Sequence, residues 1–233
     1  MLLKVTKNPN IITHSDANLD AICSCLMLKN YYLQLKKSPS IVNFGEINKN
    51  YQKKLNFKFK NKLNINESLV LVACKNKNEA LISSENCDIN INHQDDNQLF
   101  ADLNIIDKKA CSTTEILWKI IPDKYRNKEI AETCLIGIYS ETNFLKSDKV
   151  QSRTYLTCKE IFKFKPNLNK VNNIIKKDCS SEELKKMGQT ILNTKLKNHN
   201  LDAYKENKIK LKDLDIINLV EKTKTSFKTH VKF

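Results

Sequence analysis

Five polar side chains in this sequence have the types and spacing to do chemistry. Four lie within seven residues, in "IITHSDANLDAICSCLML" (11–28): His14, Asp16, Asn18 and Asp20. His93 follows in "ININHQDD". So many polar groups next to apolar runs ask for more than a plain turn. The plain alternative is a helix cap. A helix is expected to start near residue 19, and Asn18 or Asp20 would satisfy its first N–H groups well. His199 and His230 lie outside any motif and read as surface residues.

These residues need elements to hold them. "NIITH" reads as a strand, 19–35 as a helix, "SIVNF" (40–44) as a strand and 47–60 as a lysine-rich amphipathic stretch. "SLVLVA" (68–73) and "CDININ" (87–92) read as two more strands. Strands separated by helical segments predict an α/β fold with a mainly parallel sheet flanked by helices. Ligands of such sheets sit outside the carboxyl ends of the strands. His14, Ala73 and His93 fall at or just past those ends. The second half reads as helical: 111–121, opened by Ser112 and Glu115 in capping-box spacing, then 128–140, 148–164, 168–178 and 180–197, where Ser180 and Glu183 repeat the spacing. "LDAYKENKIKL" reads as a late strand and the last residues as a loosely held tail. We expect an α/β domain over 1–147, then a helical extension and tail over 148–233 packed on it.

Composition narrows the class. At 233 residues the chain can bury a sizeable core. No window approaches a membrane span, and the N-terminus is too short and polar for a signal peptide. Eight cysteines at irregular spacing, with no CxxC pair, read as reduced thiols of a cytoplasmic protein. The net charge of +14 invites a nucleic-acid partner, but only two of the 40 basic residues are arginines, Arg126 and Arg153. Arginine makes the planar bidentate phosphate contacts. A Lys/Asn/Ile-rich, Gly-poor composition points instead to an AT-rich coding sequence as the main source of the charge.

Taken in order, "THSDANLDAICS", "LVLVAC", "ININHQDDNQLFAD", "CSTTEIL" and "LIGIYSETNFLKSDKVQSRTYLTCKEIF" resemble the DHH phosphoesterase superfamily, closest in style to its oligoribonuclease-like and RecJ-like members. The superfamily also includes cyclic-dinucleotide phosphodiesterases and family II inorganic pyrophosphatases. The resemblance implies a sheet edge where two divalent metals, usually manganese, share a bridging aspartate, activate a water and clamp phosphate oxygens. Carried over residue by residue, His14 keeps the first histidine and Asp20 the second aspartate of its motif. Asn18 stands for the first aspartate, and Ala73 (Cys74 if the register slips by one) for the bridging one. Asn92, His93 and Gln94 stand for the DHH triplet, and Glu141 for the late aspartate. Cys23 replaces the usual glycine, while Ser24 remains.

On this resemblance one metal position keeps only His14, and the other keeps Asp20, His93 and Glu141. A two-metal centre is not expected, because an alanine cannot bridge. The expected cofactor is none, or one divalent cation, Mn²⁺ or Zn²⁺, at His14, Asp20, His93 and Glu141. Members usually continue into a C-terminal domain with a glycine-rich phosphate-binding motif. With Gly45, Gly137 and Gly188 the only glycines, that motif is not expected here. The leading expectation is a degenerate, non-catalytic DHH-like protein that binds a nucleotide, a single-stranded nucleic acid or a protein partner, with no membrane role. The alternatives are a weak single-metal phosphoesterase and a structural subunit that assembles with a partner or with itself.

Overall fold

The computed structural model describes residues 3–64, 66–83 and 86–176, together with 185–186, 196–197 and 200–201. Five parallel strands form one sheet in the order β2-β1-β3-β4-β5: β1 (Pro9–Thr13), β2 (Ser40–Val42), β3 (Ser68–Val72), β4 (Ile89–Asn92) and β5 (Leu103–Ile106). The expected parallel α/β fold is therefore present. β5 was not expected, its "LNII" being short and only half-buried. The chain runs outward from β1 to β2, then returns to the other side at β3. That reversal makes the carboxyl ends of β1 and β3 a topological switch point, where α/β sheets place ligands.

Alternation along the strands builds two cores. Ile11, Val70, Val72, Ile89 and Ile91 face the larger one, shared with α1 (Leu19–Gln34), α3 (Thr113–Ile120) and α4 (Lys128–Thr142). α1 is buried on nearly every side, from Leu19 through Tyr32, which is why its polarity pattern is weak. Ile12, Val42, Leu69 and Leu71 face the smaller core, closed by Cys74, Ala80, Ile82 and Cys87. Here, among the described residues, the β3–β4 crossover carries only a single 3-10 turn, Asn78–Ala80, and the β4–β5 connection no helix. The helical segments expected between strands hold for the first crossovers only.

The amphipathic stretch 47–60 becomes α2 (Lys49–Lys54), far shorter than a full amphipathic helix. Asn56, in the left-handed conformation (φ 51°), ends it. Lys60 then pairs beside Val42. α5 (Ser152–Phe162) and α6 (Leu168–Ile175) follow α4, and Met1–Lys176 forms one compact unit that includes them. A second unit covers Lys177–Phe233, of which the antiparallel pair β6 (Leu196–Lys197) and β7 (Asn200–Leu201) is described. Of the helix expected over 180–197, Lys185 and Lys186 are helical, while Leu196–Lys197 is a strand. The Ser180/Glu183 cap, the strand beyond Leu201, the tail, His199 and His230 lie outside the described residues. Among the described residues no helix is long and apolar enough to cross a membrane. The seven cysteines described are unpaired and buried.

Candidate functional site

Register brings the predicted residues to one edge. Thr13 pairs with Val72 and Val72 with Ile91, so His14, Ala73 and Asn92 follow side by side on adjacent strands. Two inter-strand spacings put His14 and Asn92 about 10 Å apart. Gly45 closes this edge from the β2 side. A Cβ there would sit 2.1 Å from the Ser15 carbonyl oxygen, so only glycine permits the approach. Asn43 holds the same loop by donating to the His14 carbonyl at 2.8 Å.

Asn18 is the N-cap of α1. Its Oδ1 accepts from the Ala21 N–H at 2.9 Å, and its Nδ2 donates to Glu141 Oε1 at 2.7 Å, across 123 residues of sequence. Asp20, in the first turn, is 1% exposed and is not a cap of its own helix. It reaches the start of α3: Oδ2 accepts from Thr113 N–H at 2.8 Å, and Oδ1 from Thr114 N–H at 3.0 Å and Thr114 Oγ1 at 2.9 Å. An anion at a helix N-terminus satisfies orphan donors and complements the dipole. α3 keeps its own cap, Ser112 Oγ accepting from Glu115 N–H at 3.1 Å. Glu115 completes the box one residue early, accepting from Cys111 N–H at 2.8 Å.

His93 Nδ1 lies 2.9 Å from Thr113 Oγ1 and 3.9 Å from Asp20 Oδ2. Burial lowers its pKa, Asp20 opposes that shift, and Lys149 adds to it. Burial also lowers the pKa of His14, against the pull of Glu79, Asp16 and Asp20. Glu141 stands in the last turn of α4. Burial, then the charge of Asp20, pushes its carboxyl up to about 7, opposed by Lys149, whose Nζ is 4.0 Å away, and by Asn18. Asn92 is fully buried. Its Oδ1 accepts from the N–H groups of His93 (2.8 Å) and Gln94 (3.3 Å), and its Nδ2 has no partner among the described residues. Gln94 Oε1 is likewise buried and unpartnered there.

Ala73 takes a left-handed backbone (φ 56°), which breaks the strand alternation. The turn leaves Ala73 against the larger core and sends Cys74 into the smaller one, on the opposite face of the sheet. Cys74 Sγ bonds back to Val72 O at 3.4 Å, and burial raises its thiol pKa. Cys74 therefore lies on the opposite face from Ala73, away from the larger core.

Sequence reasoning missed the supports. Thr113 and Thr114 hold Asp20 and His93, whereas "CSTTEIL" reads as a helix start and a motif of the resemblance, with no role for either threonine. Gly137 stands in the sequence only as one of three glycines. A Cβ there would lie 2.3 Å from Thr114 Oγ1, so the glycine lets α4 lie on the turn that grips Asp20. Lys149 and Glu79 carried no signal beyond their charge.

These residues do not fit the two-cation centre that the resemblance implies. Both Asp20 oxygens already accept from α3, the Asn18 amide turns a hydrogen toward Glu141, and Ala73 has no oxygen with which to bridge. Two cations about 4 Å apart need several carboxylates between them.

A parallel five-stranded α/β unit with its polar cluster at the switch point is the class the fold and site define. The sequence matches the "DHH family, N-terminal domain" over residues 10–138. The chain belongs to the DHH family. No curated protein matches it in sequence. Among solved structures it is similar to an exopolyphosphatase-related protein from Bacteroides fragilis, with 15% identity, a TM-score of 0.73, and coverage of 82% of this chain and 62% of that one. It is also similar to a putative family II inorganic pyrophosphatase from Methanococcus jannaschii, with 16% identity, a TM-score of 0.55, and coverage of 71% and 59%. The chain thus spans less than two thirds of the length of either, and at these identities the likeness is one of fold.

Proposed function

We propose that this protein is a degenerate member of its family, one that binds a phosphate-bearing ligand (a nucleotide or a single-stranded nucleic acid) or a protein partner in a cytoplasmic setting, without hydrolysing a phosphoester. The observation that carries this reading is the engagement of the site's own groups. Where carboxylates would hold cations stand Asn18, Ala73 and Asn92, and the two amides are already used in caps and turns. The retained carboxylates are engaged too, Asp20 by α3 and Glu141 by Asn18.

The test is elemental analysis of protein purified without chelator, paired with hydrolysis of bis-p-nitrophenyl phosphate in Mn²⁺. We expect less than one equivalent of metal and no metal-dependent turnover. Two equivalents of manganese with turnover would overturn the reading. One observation favours a second reading, a weak single-metal phosphoesterase: Asp20 and His93 lie 3.9 Å apart, with Glu141 in the field of Asp20. A stoichiometric single metal that is lost in His93→Ala would establish it instead.

A further inference from the structure

The hydrogen bond from Asn18 to Glu141 joins the first residue of one helix to the last turn of another, at the place where carboxylates would need a cation between them. We propose that this amide is a replacement clasp: it closes the sheet edge without metal and makes the stability of the fold independent of divalent cations. The proposal rests on the reading above and deepens it.

Asn18 does two jobs with its two side-chain atoms. The oxygen caps α1, and the nitrogen meets Glu141 at 2.7 Å. An aspartate would keep the cap, because capping needs only an acceptor. With Glu141 ionised, it would lose the second contact and set oxygen against oxygen at hydrogen-bond distance. Asp20 would then be a third carboxylate in the same field. The groups facing Glu141 offer little relief: Asn18, Asp20, and Lys149, which is 4.0 Å away and largely exposed. A divalent cation is the usual remedy for carboxylates crowded in this way. Asp20 asks for no such help, since three donors from Thr113 and Thr114 meet its charge. One amide therefore separates an edge that closes by itself from an edge that needs metal.

Thermal unfolding of the whole chain, in excess chelator and in Mn²⁺, tests this. The wild-type midpoint should be the same in both. Asn18→Asp should unfold at least about 4 °C lower in chelator, as expected for loss of a clasp in a chain of this size, and should recover in Mn²⁺. Adding Glu141→Gln exchanges donor and acceptor across the pair. The N18D/E141Q chain should regain the wild-type midpoint in chelator and lose the response to Mn²⁺. Asn18→Ser, which keeps a capping hydroxyl but brings no charge, should fall slightly and ignore Mn²⁺. If Asn18→Asp fails to fold while the doubly substituted chain folds, the clasp is supported; if neither folds, it is overturned. An N18D midpoint equal to wild type in chelator, or one deaf to Mn²⁺, also overturns it while leaving the proposed function standing. A wild-type midpoint that itself drops in chelator overturns both.

Discussion

Asp20 shows how one side chain comes to hold two elements. A buried carboxyl group would be costly without partners, but two backbone N–H groups and a hydroxyl of α3 surround it. Asp20→Asn keeps one acceptor and leaves a buried N–H of Thr113 or Thr114 without a partner. We expect a loss of about 2–4 kcal/mol in urea unfolding, with no recovery in Mn²⁺. Gly137 is the second support. In an exposed helix, Gly→Ala would stabilise by about 1 kcal/mol. Here the new methyl meets Thr114 Oγ1 at 2.3 Å. We expect the clash to win, Gly137→Ala costing about 1–3 kcal/mol in the same assay. A neutral or stabilised variant would show that the contact relaxes freely. The positions of His14, Asn18, Asp20, His93 and Glu141 were legible in the sequence because strand ends and motif order mark them. The threonines that hold Asp20 were not, since the contacts cross more than 90 residues and no local pattern announces them.

The elements near the site are tied by charge as well as packing. Arg153 of α5 pairs bidentately with Asp107, just after β5, and its Nε lies 3.5 Å from the buried Glu115 of α3. One guanidinium therefore pins the sheet edge, α3 and α5 together. The hydrogen bonds from Arg153 hold the Asp107 carboxyl below its ordinary range. For a carboxylate lowered in the folded state, stability is fully present above its unfolded pKa and is lost as pH falls through the folded one. Asp107→Asn should cost about 1–2 kcal/mol near neutral pH, discounted for partial exposure. The difference should shrink as pH falls below about 4 and be smallest at about pH 2, as the wild-type carboxyl takes up its proton. Urea titrations at both pH values measure it, and a difference independent of pH would assign the loss to packing. The sequence pattern found α1, α3, α4, α5 and α6 because each is a run of helix length with recurring residues that the fold buries. It overextended α2, whose neighbours Phe57 and Phe59 leave the helix after Asn56 to pack on the core. It missed β5, four half-buried residues directly after a motif rich in polar side chains.

At the scale of the whole molecule, two expectations remain to be measured: the basic charge and the site. The lysine excess suggests salt-steep binding of single-stranded nucleic acid. The aromatic residues among the lysines of "YQKKLNFKFKNK" (51–62) are, however, engaged elsewhere: Phe57 is buried, and Tyr51 and Phe59 pack against the larger core. Phe57 is thus closed to stacking, and binding should follow counterion release in the main, falling steeply between low and physiological salt. The site allows a sharper test. Asn18→Asp, Ala73→Asp, Asn92→Asp and Gln94→His together return the donors that the resemblance implies. The backbone favours the central change, because Ala73 already sits at φ 56°, where aspartate is tolerated better than alanine. Asn92→Asp keeps the oxygen that accepts from His93 and Gln94 N–H and replaces an unpartnered amide nitrogen with an acceptor. Three added carboxylates and an imidazole supply the charge and donors that two cations require. We expect the folded quadruple variant to bind Mn²⁺ at least about tenfold more tightly than the parent, a gain of about 1.4 kcal/mol, by isothermal titration. A folded variant with no gain would mean that these positions do not converge on a cation, and that Asn18, Asp20 and Asn92 are there as caps and ties alone.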